Sequence, residues 1–335
     1  MVKRSTSIPF LYKFLIGLFV LISSFFISMV VGAADTSLKD AWNAIISNTV
    51  TDTVIMLNEI RLPRVIAAIF VGAALAVSGA IMQGVTRNPL ADPGLLGLTA
   101  GANAALALTI ALIPYANYFW ITIVCFIGAA VGTILVLGIG SMRRGGFSPF
   151  RLVLAGAAVS AFLHAITEWI GLYFRISKDV SMWTAGGLIG TTWGQLQMIV
   201  PFIIISIVIS IFLAKQLTIL SLNEEVAIGL GQNIIRVKYM LFIIIILLAG
   251  TSVALVGNIA FVGLMIPHIV RGIVGTDYRF ILPMSAVAGA TFMLLADTLG
   301  RTINAPFETP VAAIVSILGL PFFLLIVRKG GNAFS

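Results

Sequence analysis

Two histidines and one cysteine are the only imidazole and thiol groups among the 335 residues. His164 and Glu168 stand four apart, on one face of any helix that carries them. There an imidazole and a carboxylate can relay a proton or line a polar path. Two ligands are too few for a metal site. His268 follows Pro267, where its ring is placed to serve backbone groups that a proline frees. Cys125 lies in an apolar run and is alone, so neither a disulfide nor a cysteine-based zinc site can form within the chain. No phosphate-cradling G-x-x-x-x-G-K-[ST] segment is present. The residues therefore point to a chain with no catalytic group, no metal and no directly bound cofactor.

Composition decides what holds these residues. With 60% hydrophobic and 10% charged residues and a mean hydropathy of +1.12, there is too little polar surface to cover a water-soluble globule. An apolar helix of about 20 residues crosses about 30 Å of hydrocarbon. The predicted spans are 10–32, 61–83, 93–112, 116–140, 149–172, 195–214, 237–257, 260–275, 280–300 and 308–327, making an all-α polytopic membrane protein with one domain, 1–335. The eighth is short, interrupted by Pro267, His268 and Arg271. Small residues at four-residue spacing mark helix faces built for close approach: Gly72, Ala76, Ala80 and Gly84; Gly97, Gly101 and Ala105; Gly128 and Gly132. The net charge of +8 comes without a basic patch interleaved with aromatics, so nucleic acid is not an expected partner.

Ten spans put both termini on one side. With the termini inside, only Lys39, Arg61, Arg64, Arg175, Lys178 and Arg301 fall outside, which leaves 14 of the 20 basic residues on the inner side and makes that side cytoplasmic. Arg61, Arg64 and Arg301 break this pattern at the outer ends of the second and ninth spans. Local pairing accounts for them in one reading, because Asp297 precedes Arg301 by four and Glu59 is beside Arg61. Met82 and Gln83 close the second span on the inner side, where they either pack or line an inner gate.

The longest polar insertion on the inner side is 215–238. Ser221 or Asn223 can cap a short helix there, Glu224 and Glu225 favour its first turn, and Gly229 or Gly231 can end it. Taken alone, this is a connector lying outside the membrane.

The stretch from Arg61 to Gly101, with its turn signals Asn88-Pro89 and Asp92-Pro93-Gly94, closely resembles the permease subunits of bacterial ABC importers for ferric siderophores, haem and cobalamin. Gly263 to Arg271, Leu282-Pro283 to Ala290, Leu295-Ala296-Asp297 and Glu308-Thr309-Pro310 extend the likeness over most of the chain. The resemblance implies a type II ABC importer permease in the bacterial cytoplasmic membrane. Two such subunits, identical or paralogous, would surround a central path, with two ATP-binding subunits that use the ATP, an extracytoplasmic substrate-binding protein and a ferric siderophore as cargo. It implies that the 221–233 helix enters a groove on the ATPase, with Val226, Ala227, Ile228 and Leu230 as apolar contacts and Glu224 and Glu225 as the polar rim. It also implies that Arg61, Arg64 and Arg301 receive acidic residues of the binding protein, with Asp297 orienting Arg301. A haem or cobalamin importer shares this scaffold. An ion-coupled secondary transporter, with His164 and Glu168 as its relay, is the reading from a different class.

Overall fold

Seven helices of the computed structural model are long and apolar enough to cross a membrane, and three shorter apolar helices bring the described total to ten. The structure describes residues 9–32, 36–46, 51–113, 115–141, 149–185, 187–305 and 307–330; Lys3, Arg4, Arg143 and Arg144 of the charge count lie outside these. The chain runs α1 (Phe10–Val30), α2 (Leu38–Ile46), α3 (Asp52–Met56) and a π-helical turn (Leu57–Arg61) continuous with α4 (Leu62–Thr86). A 3-10 turn (Pro93–Leu96) leads into α5 (Leu98–Leu112), α6 (Tyr118–Ser141), α7 (Pro149–Tyr173) and the short α8 (Ser177–Thr184). Then come α9 (Trp193–Phe212), α10 (Ala214–Leu222), α11 (Glu224–Gly229), α12 (Ile234–Val256), α13 (Val262–Val274), α14 (Tyr278–Thr302) and α15 (Val311–Gly330).

The centre of the bundle is α4, buried along almost its whole length, while α1 lies at the periphery. Lipid tails are as apolar as leucine, so the helices are held by backbone approach and van der Waals contact. The small-residue faces do this. A Cβ on Gly101 would stand 2.1 Å from the Gly128 carbonyl oxygen, joining α5 to α6, and one on Gly79 would stand 1.9 Å from that of Gly263, joining α4 to α13.

Two spans are shorter than predicted, for a local reason in each case. The third span is α5 alone: Asp92 caps the 3-10 turn through the Gly94 N–H, and Gly97 at φ +74° turns the chain before Leu98. The eighth is the 13-residue α13, which starts after Gly257 (φ +72°) and Phe261 (φ +67°) end the preceding connection. Both therefore begin recessed within the bundle. Pro93 packs at Gly263, and Gly263 in turn faces Leu75, midway along α4.

Candidate functional site

One end of the bundle, expected to be the outer one from the charge count, carries the three arginines, and they are brought together. Arg61 is 7% exposed, Arg64 8% and Arg301 4%. Arg64 lies in the first turn of α4 and Arg301 in the last turn of α14, so the packing of those helices sets them side by side. Asp297 links them: Arg64 Nε donates to its Oδ1 at 2.9 Å, and Arg301 Nε stands 3.1 Å from its Oδ2, close enough for an ion pair but misaligned for a hydrogen bond. The i, i+4 pairing legible in the sequence is present. Glu308, ahead of α15, takes Arg64 Nη1 at 2.8 Å and 2.9 Å through its two oxygens, and its side chain is 32% exposed. In the sequence this partner is marked by nothing more than an acid just before the last span.

The same arginines finish α1. Its last turn has no basic residue, and Arg61 Nη1 donates to the Met29 carbonyl (2.7 Å) while Arg301 Nη2 donates to the Ser28 carbonyl (3.1 Å) and hydroxyl (2.7 Å). Cations at a helix C-terminus satisfy its orphan carbonyls and oppose its dipole. Arg61 also donates to Thr36 Oγ1 at 2.8 Å. Among the described residues, Arg64 thus pairs with both Asp297 and Glu308, and Arg301 with Asp297.

At the opposite end the insertion forms two helices, not one, broken at Asn223, whose backbone is extended (φ −163°). Asn223 is the cap of α11, its Oδ1 accepting the Glu225 N–H at 3.1 Å, whereas the Ser221 hydroxyl donates back to Thr218 within α10. Helix α11 ends at Gly229, and Gly231 at φ +78° turns the chain away. Val226, Ile228 (63% exposed) and Leu230 (65%) face outward together with Leu222 (70%). Two residues depart from the expected surface. Ala227 is fully buried against the bundle, so it is not an apolar contact for a partner. Glu224 is half-exposed but engaged within the chain, its Oε1 pairing with Lys238 Nζ at 2.9 Å and Arg87 Nη2 at 3.2 Å; Glu225 remains exposed. One period of a short helix sends neighbours in opposite directions, which residue type alone does not reveal.

Of the four path candidates, the two on α4 are buried. Gln83 Nε2 donates to the Gly263 and Leu264 carbonyls, and its Oε1 accepts from Arg271 Nη2, so it satisfies the recessed start of α13. Met82 lies beside it, 3% exposed. His164 and Glu168 share an exposed face of α7, and His164 borders a cleft of about 250 Å³ between α7, α12 and the two recessed connections. Among the described residues, no three His, Cys, Asp or Glu side chains converge as metal ligands.

A profile of the FecCD transport family matches residues 20–329. Among curated proteins, the iron(3+)-hydroxamate import system permease FhuB of Bacillus subtilis is 43% identical over 93% of this chain and 82% of its own length. The Fe(3+)-citrate import system permease YfmD of the same organism is 39% identical over 98% of both chains. The hemin transport system permease HmuU of Yersinia pestis is 38% identical over 89% and 90%. Among solved structures, an ABC transporter assigned to the metal-chelate type and captured facing inward superposes with a TM-score of 0.83 at 26% identity, covering 96% of this chain and 100% of that one. The architecture is that of a type II ABC importer permease.

Proposed function

This chain belongs to the FecCD transport family, and on that footing we propose that it is the membrane-spanning permease of an ATP-driven importer whose cargo is an iron–siderophore complex. The observation that carries the cargo is the near full-length likeness to permeases named for ferric hydroxamate and ferric citrate. A permease subunit performs no bond chemistry itself, and ATP is hydrolysed by two partner subunits. A second permease copy or paralogue completes the path, and an extracytoplasmic binding protein delivers the cargo.

In this reading the outward side chains Leu222, Val226, Ile228 and Leu230 seat in the ATPase, an apolar patch rimmed by Glu225. Glu224 acts on the other side of α11, holding it to Arg87 at the end of α4 and Lys238 in the first turns of α12. Movement of the ATPase then passes directly into two core helices. The termini are cytoplasmic in this reading, which the distribution of Lys and Arg supports.

The arginine cluster is the docking point for the binding protein. Because the guanidiniums are already paired, an incoming carboxylate exchanges with Glu308, the more exposed of the two internal acids, while Asp297 keeps Arg64 and Arg301 in place. Association of the binding protein with Glu308→Gln should therefore tighten by roughly tenfold, and with Arg61→Gln it should weaken by a similar factor. Unchanged affinity in both variants refutes the docking assignment. The transport reading is tested by reconstituting the permease with its ATP-binding subunits and binding protein in liposomes. ATP-dependent accumulation of a radio-iron siderophore is expected, and accumulation driven by an ion gradient without ATP would overturn it.

A further inference from the structure

Pro267 stands inside α13 and brings no N–H, so the carbonyl four residues earlier, that of Gly263, loses its helical partner. The group that answers it comes from another helix. Gln83 of α4 donates through Nε2 to the Gly263 carbonyl at 3.1 Å and to the Leu264 carbonyl at 3.2 Å. His268, which the sequence offered for this task, instead sets its ring edge-on to Phe322, 5.9 Å between centroids. A side-chain amide thus replaces a missing rung of the backbone ladder. The helices come close enough for this because Gly79 and Gly263 face each other without side chains.

The first turn of α13 is also the part of that helix that borders the cleft, through Gly263. A helix bends most readily where proline has removed a rung, so the tilt of this turn depends on Gln83 as well as on α13 itself. Gln83 is held in turn. Its Oε1 accepts from Arg271 Nη2, and Arg271 interacts with the Tyr278 hydroxyl in the first turn of α14. The Tyr278 N–H donates to Thr218 Oγ1 of α10 at 3.0 Å, and α10 leads into the α11 surface assigned to the ATP-binding subunits. Polar contacts therefore run from α10 through Tyr278, Arg271 and Gln83 to the cleft-facing carbonyl of Gly263. We propose that Gln83 is a positioning residue for transport, which ties the cleft-facing turn of α13 to the end of the permease that meets the ATP-binding subunits, so that movement there reshapes the cleft. The inference deepens the transport reading and rests on it.

A row of contacts gives a route and not a coupling, so the test is a double-mutant cycle. Gln83→Leu removes the amide, and Pro267→Ala returns an N–H to the Gly263 carbonyl. In detergent, Gln83→Leu should lower the melting temperature by about 3 °C or more, the effect of stranding buried polar groups. Pro267→Ala should raise it by more in the Gln83→Leu background than in wild type. The complete importer in liposomes is then given radio-iron as ferric trihydroxamate or ferric citrate, whichever wild type accumulates, and the ATP hydrolysed per iron taken up is measured. The double variant, its stability recovered, should still use about fivefold more ATP per iron than wild type. Arg271→Met, which leaves both carbonyl bonds of Gln83 in place, should raise the ratio too. Equal effects of Pro267→Ala in the two backgrounds would show that Gln83 does not stand in for the missing rung. A wild-type ratio in the double variant or in Arg271→Met would confine Gln83 to structure. Either result overturns the proposal and leaves the transport reading intact, whereas a wild-type importer that takes up neither probe with ATP ends both.

Discussion

Gly72 and Gly289 meet so closely that a Cβ on either would stand 2.3 Å from the other's carbonyl oxygen. This contact joins α4 to α14, and above it the same pair of helices brings Arg64 to Asp297. A side chain here must separate the helix backbones, because the blocking atoms are main chain. Gly72→Val should cost about 3 kcal/mol, the upper range for overpacking, and lower the melting temperature in detergent. Gly138→Ala is the matched control, since nothing lies within 4 Å of its Cβ position. Equal melting of the two variants would show that the bundle yields at this crossing.

Asp297 is fully buried and serves two guanidiniums. Asp297→Asn keeps the shape and removes the charge, leaving Arg64 and Arg301 to repel each other out of water. Breaking a buried pair from one side costs about 3–5 kcal/mol. The triple variant Arg64→Met, Asp297→Leu and Arg301→Met, which leaves no buried guanidinium facing the lost carboxylate, should be less destabilised than Asp297→Asn alone in thermal denaturation. If the single variant melts with wild type, the carboxylate is not what holds the outer end together.

Separate faces of α11 predict separable defects. Ile228→Asp places a charge on the outward apolar surface and should abolish copurification of the ATP-binding subunits without changing the melting temperature of the permease. Glu224→Gln weakens the pairs to Arg87 and Lys238 and should preserve copurification while uncoupling ATP hydrolysis from uptake. Loss of the complex with Glu224→Gln would place that residue in the interface after all.

Asp277 caps α14 and joins it to α10, accepting from the Arg279 N–H and from the Thr218 hydroxyl. The Arg279 side chain, bonded to it, holds its carboxyl below the ordinary carboxylate value, against a smaller opposing effect of burial. A lowered folded-state pKa gives stability that is fully present above the unfolded value of about 3.9 and is lost as pH falls through the folded one. Asp277→Ala should therefore be less stable than wild type by about 1 kcal/mol at pH 7, the usual worth of a cap, with the difference shrinking below pH 4. A constant difference down to pH 3 would show that the capping geometry matters and the charge does not.

Orientation is checked with cysteines in a Cys125→Ala background. Lys178→Cys should react with an impermeant thiol reagent in intact cells, and Glu225→Cys should react only after permeabilisation. The reverse pattern would invert the topology.

What the sequence determined by itself was local. Transfer into hydrocarbon sums along one segment, so ten apolar spans were legible, as were Asn223 as one of two candidate caps and the Asp297–Arg301 pair one helical turn apart. The small-residue ridges were legible as surfaces, though their partners were not. Tertiary structure alone decided that Gly72 meets Gly289, that Arg64 reaches Glu308, that Gln83 is spent on the start of α13, and that α5 and α13 begin recessed around a polar cleft. These join residues far apart in the chain, and which helix faces meet depends on the packing of the whole bundle, a quantity no single segment carries. Ala227 and Glu224 make the same point at short range. Their residue types suit an exposed surface, and only the placement of α11 beside α12 and the end of α4 buries Ala227 and pairs Glu224 with Lys238 and Arg87.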